Sequence, residues 1–144
     1  MTTAEHLDTI DQLRTRDFPD VRGRSDVGTS GPGYHLAELG DSRWFGDEDA
    51  VGRAEEAERT SAAYEALTHA LTERWGTADV FSLGSVRLRA VTQEVAQPWG
   101  ELSGVTDHVH VWRVEDRWVV VCAARWGADH SPQLLAAVTV TDPP

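Results

Sequence analysis

Two histidines and the only cysteine of this chain crowd into one segment, D-H-V-H-V-W-R-V-E-D-R-W-V-V-V-C-A-A-R-W, from Asp107 to Trp126. His108 and His110 are two apart, so on a β-strand they share a face about 6.5–7 Å apart, a spacing at which two imidazoles grip one metal ion. A third ligand is then required, and the hairpin turn decides whether Cys122 supplies it. A three-residue loop, Glu115-Asp116-Arg117, sets His110 opposite Cys122 and assembles a His108, His110, Cys122 cluster. A two-residue loop, Glu115-Asp116, sets His110 opposite Val121 and sends Cys122 to the other face. The second register separates apolar from polar residues more cleanly and is preferred. It groups Val109, Val111, Trp118, Val120, Cys122, Ala124 and Trp126 as the core face. His108, His110, Trp112, Arg117 and Arg125 then form a mixed surface open to a partner or ligand, and Cys122 becomes a buried small hydrophobe.

Other reactive groups point to less. Asp129, His130 and Ser131 are too close in sequence to converge as a catalytic triad, and they read as a turn. Asp47, Glu48 and Asp49 suit the start of a helix, while Glu55 and Glu56 suit a solvated face. All 13 basic residues are Arg, and the absence of Lys excludes an internal Schiff base, a pyridoxal-phosphate anchor and a P-loop lysine. Gly28, Gly31 and Gly33 therefore form no phosphate cradle. No cofactor is expected. The net charge of −11 argues against a nucleic-acid partner, because such affinity comes from neutralising phosphates with a basic face. That charge is concentrated toward the N-terminal half, with 16 acidic and 8 basic residues up to position 78.

The elements that position these groups follow from periodicity. A chain of 144 residues is expected to form a single domain over 1–144, with an N-terminal helix and Gly-rich loop over 1–46 and a helix plus antiparallel sheet over 47–144. Thr2 and Glu5 match a capping box, and Leu7, Ile10 and Leu13 continue a helix over about 3–16. Phe18-Pro19 closes it. Glycines then punctuate a long loop, within which Tyr34 to Phe45 is expected to pack on the sheet or to bind a partner. A long amphipathic helix runs from about Asp47 to Trp75, with Val51, Ala54, Ala57, Ser61, Tyr64, Leu67, Leu71 and Trp75 on one stripe, and Gly76 ends it. Alternation afterwards predicts strands at about 79–83, 85–91, 107–114, 117–126 and 133–141. The fold class is α+β: a long helix packed on an antiparallel meander of four to five strands.

The pattern V-W-R-V-E-D-R-W-V-V-V followed by L-L-A-A-V resembles a group of small actinobacterial α+β proteins with a Trp-bearing C-terminal hairpin. The likeness covers about residues 64–141 and implies a fold but no activity. V-E-D-R-W also looks like the late hairpin of NTF2-like (SnoaL-like) domains, whose cone-shaped fold encloses a pocket. This chain departs from them by adding an apolar strand after the hairpin and by lacking their pocket His-Asp pair.

The favoured expectation is a non-catalytic acidic protein-binding module, immunity-protein-like or adaptor-like, that recognises a basic or apolar protein partner. Its binding surface would use Trp44, Trp99, His108, His110, Trp112 and Arg117, and self-association as a homodimer fits the same reading. The alternative is a small-molecule pocket domain, enzymatic or not. One Cys, no apolar run of membrane length and an acidic N-terminus predict a cytoplasmic protein without a membrane partner.

Overall fold

The computed structural model describes residues 2–39, 50–125 and 132–144. Its element order is α1 (Thr3–Thr15), β1 (Gly23–Arg24), β2 (Gly28–Gly31), β3 (Tyr34–Glu38), α2 (Ala50–Trp75), β4 (Asp79–Ser82), α3 (Gly84–Ala90), α4 (Trp99–Ser103), β5 (His108–Val114), β6 (Arg117–Ala124) and β7 (Gln133–Thr139). The seven strands form one sheet in the order β1-β2-β3-β7-β6-β5-β4, antiparallel throughout. The fold is α+β, with more strands than the four to five expected.

Helix α1 begins as the sequence dictates: the Thr2 hydroxyl accepts the backbone N–H of Glu5 at 3.2 Å. Ile10 and Leu13 bury on one side of the sheet beside Leu67 and Leu71 of α2. The other side is covered by α3 and α4, which contribute Val86, Trp99 and Leu102 over Val109, Val111, Val120 and Cys122. Strand β7 lies between these two layers, and each of its residues is buried. Its near-continuous apolar run suits a strand packed on both faces.

Three expectations need correction. The segment after Pro19 is not a loop: β1, β2 and β3 extend the sheet, with β3 pairing β7 from Tyr34↔Thr139 to Glu38↔Leu135. Residues 85–91 form a helix rather than a strand. Their alternation rests on Val86 and Leu88, and only Val86 is buried while Leu88 is exposed. A helix there carries Leu83 and Val86 onto an apolar sheet face that would otherwise stay wet, so tertiary demand overrides a short local pattern. The expected α2 stripe holds only in its C-terminal half. Val51, Ala54 and Ser61 face solvent, while Leu67 and Leu71 are buried and Tyr64 and Trp75 half-buried. Residues 47–49 of that expected helix, and the expected turn at Asp129-His130-Ser131, lie outside the described residues.

Candidate functional site

The hairpin adopts the two-residue loop: Val114 pairs Arg117 and His110 pairs Val121, with Glu115 at φ +57°. Cys122 sits opposite Leu135 and packs on the α3/α4 side, away from His108 and His110. Burial pushes its thiol up to about 12. The His108, His110, Cys122 metal cluster is therefore excluded by register. Among the described residues no group of three His, Cys, Asp or Glu side chains is placed to hold a metal ion.

The expected recognition face is only partly a surface, because α1 and α2 cover most of it. Trp112 is 3% exposed; its Nε1 donates to the Gly76 carbonyl at 2.9 Å and its ring meets the edge of Trp75 at 6.3 Å. Arg117 lies across the end of α1, donating to the carbonyls of Leu13 and Arg16 at 2.8 and 2.7 Å, with its guanidinium over the Phe18 ring. It satisfies carbonyls that the helix leaves unpaired. Trp99 is also buried and donates to the Thr141 carbonyl at 3.1 Å. Trp99 and Trp112 are core residues, not interface anchors. Trp44 lies outside the described residues.

What remains accessible is His110 and the edge of the sheet beside it. Tyr64 of α2 reaches down to β5, placing its hydroxyl 2.6 Å from His110 Nδ1 and 3.2 Å from the Val121 carbonyl. The carbonyl only accepts, so the tyrosine hydroxyl donates to it and His110 Nδ1–H donates to the tyrosine oxygen. This tautomer leaves His110 Nε2 as an acceptor. Burial raises the Tyr64 pKa; burial, followed by the charge of nearby His108, lowers that of His110. The pair is thus an uncharged hydrogen-bonding unit near neutral pH, with no carboxylate hydrogen-bonded to it among the described residues. It lines a groove of about 400 Å³ together with Glu65, Thr68, His69 and Thr72. Tyr64→Phe leaves His110 Nδ1 without its partner and removes one of the hydrogen bonds accepted by the Val121 carbonyl, and a stability loss of about 0.5–1.5 kcal/mol is expected in urea unfolding.

Two other grooves carry polar groups. His108 opens onto one of about 730 Å³ with Arg87, Asp107 and Arg125. There Arg87 is committed to the carbonyls of Ser103 and Thr106 and to Asp107 Oδ1 at 2.8 Å, which holds the Asp107 carboxyl below its usual range. Along a third groove, of about 290 Å³, Ser30 Oγ lies 2.7 Å from His35 Nδ1. His35 Nε2–H donates to the Arg16 carbonyl at 3.3 Å, so the serine hydroxyl is the donor to Nδ1. A backbone carbonyl here stands where a catalytic triad's carboxylate would. Ser30 and His35 are directly opposed on β2 and β3 and almost wholly buried, which makes them a cross-strand tie holding the α1 exit to the sheet. The sequence hid this pair inside an apparent loop. Recognising that 28–31 and 34–38 form a hairpin was the one signal that would have joined Ser30 to His35.

His6 and His35 are both buried, and burial lowers both pKa values from the ordinary 6.5. The unfolded chain therefore binds more protons as pH drops toward that value, so their stabilising effect is complete well above pH 6.5 and is lost as pH falls from there through the lower folded-state values. Melting temperature is expected to drop between pH 7.5 and 5.5. A flat profile over that range contradicts the neutral, buried assignment.

The chain matches no protein-family model, no curated protein and no solved structure. The geometry is what bears on function. No helix among the described residues is long and apolar enough to cross a membrane. The grooves that receive His108 and His110 are open to solvent, and neither encloses its histidine.

Proposed function

We propose that this chain is a non-catalytic, acidic protein-binding module, acting in the cytoplasm in the manner of an immunity protein or an adaptor, whose partner is basic at the interface. The observation that carries this reading is a set of exposed carboxylates without a basic partner among the described residues. Glu58 and Glu65 follow one another along the solvent face of α2, and Asp79 is exposed at the start of β4. Elsewhere the exposed charges are more often matched, as in Arg16–Asp26, Arg24–Glu38 and Arg74–Asp11. Unmatched charge of one sign costs self-repulsion, which a complementary partner relieves while also being drawn to the surface. The uncharged Tyr64–His110 pair supports the same reading, since it offers hydrogen bonds to an occupant and no group poised for bond-breaking.

Affinity capture from the native host, with the wild-type chain and a Glu58→Arg, Glu65→Arg, Asp79→Arg variant compared quantitatively, tests this. All three positions are exposed, so the variant is expected to fold and to lose the captured partner. Equal recovery of that partner by both chains overturns the proposal.

A further inference from the structure

The two edges of the sheet are built differently. β1 is a two-residue strand, Gly23–Arg24, and its Arg24 is paired to Glu38 across the sheet. β4 is longer, without Pro, and among the described residues no strand pairs its outer side. The alternation of the antiparallel ladder shows which backbone groups are left over. Leu83 N–H donates to the Asp107 carbonyl at 2.7 Å, so the pair 83/107 exchanges hydrogen bonds. In the same register, so do Phe81↔Val109 and Asp79↔Val111. Val80 and Ser82 lie in the intervening positions, and their N–H and C=O groups point outward to the free edge. Proteins commonly block such an edge with a charge, a proline or a bulge, because a row of free donors and acceptors is a template for another strand.

The side chain at the centre of this edge is also unblocked. Val80 is 59% exposed, and its pairing with His110 places it on the α2 side, beside the Tyr64–His110 groove. The surroundings are acidic: Glu65 lines the groove, Glu73 lies farther along α2 with His69, and Asp79 starts the strand with its side chain, like that of its partner Val111, on the opposite face of the sheet. We propose, building on the binding-module reading, that β4 is the docking edge for an extended, basic segment of a partner protein, which adds to the sheet as an eighth strand. Backbone pairing with Val80 and Ser82 supplies affinity. An apolar residue of the added strand covers Val80; a Lys or Arg two residues away shares that face and meets Glu65 and Glu73, while one next to it points to the other face, toward Asp79. The added strand would lie about 4.8 Å beyond β4, within reach of the groove for a long side chain.

The test uses the full chain and a phage-displayed library of short random peptides, followed by amide exchange on the chain saturated with a selected peptide. Selected sequences should carry Lys or Arg both one and two residues from a central apolar residue. Exchange at Val80 and Ser82 should slow by about tenfold or more, because those amides become paired. Val80→Pro removes one outward N–H at an edge position that tolerates proline and should weaken the peptide by about tenfold. Val80→Lys, at an exposed site, serves as a second variant that keeps the fold and should repel the same peptides. The proposal is overturned if the library enriches no such basic sequence, or if bound peptides leave the Val80 and Ser82 amides unprotected. Protection that rises with protein concentration in the absence of peptide also overturns it, since the occupant is then a second copy of the chain. Failure here is separable from failure of the broader reading. A host partner lost on charge reversal but retained by Val80→Pro leaves the binding module standing and removes strand addition.

Discussion

Trp112→Ala lowers the stability of the fold by about 3–5 kcal/mol, the range for removing a large aromatic from a packed core. Its indole is almost wholly buried among Leu13, Leu71 and Val119, and its N–H caps the end of α2 at Gly76. Truncation therefore opens a cavity and frees a carbonyl in one step. Trp118 lies on the other side of the hairpin, half-buried, with Arg113 over its ring and its N–H on Asp142. Trp118→Ala should cost less, because that site collapses more readily and water can replace the Asp142 bond. Urea titrations of the two variants give the comparison. A Trp112→Ala protein as stable as wild type would mean that this side chain stands at a surface after all.

Gly28→Ala is expected to destabilise by about 1–3 kcal/mol or more, although it adds a single methyl group. A Cβ at Gly28 would come within 2.2 Å of the Leu36 carbonyl oxygen on the paired strand. That neighbour is backbone, so relief requires β2 and β3 to separate. Gly23 lies on β1 with nothing within 4 Å of the same added atom, and Gly23→Ala should be nearly neutral. A contrast between these variants in thermal melts is the signature of a real β2–β3 pair. Equal, small effects would return this region to a loop.

These glycines also explain what the sequence concealed. Gly28 and Gly31 read as loop punctuation, since glycine weakens strands and marks turns. Here Gly28 lets another strand come close and Gly31 lets the Tyr34 ring lie against it. The Ser30–His35 tie was hidden for the same reason, because it exists only once two strands are paired. By contrast, the hairpin from His108 to Ala124 was legible down to its register. The sorting of apolar from polar side chains at Glu115-Asp116 led to the two-residue turn that the structure has. That sorting did not reveal that both faces are covered, because His108, His110, Trp112 and Arg117 look polar or amphipathic as residue types. Trp112 is buried and Arg117 half-buried where they donate to carbonyls at the ends of α2 and α1, and such long-range partners leave no local pattern. Only the histidine end of that face stays within reach of solvent. Helix α3 was misread because two alternating apolar residues fit strand and helix equally well.

The charge on this chain carries the functional account, and electrostatic steering is read most directly from association kinetics. Once a captured partner is in hand, its association rate with the wild-type chain should fall steeply as salt is raised, because screening shortens the reach of Glu58, Glu65 and Asp79. The triple Arg variant should associate slowly at low salt and lose that dependence. An association rate independent of ionic strength, and unchanged by the three reversals, would contradict recognition of a basic partner by these acidic residues.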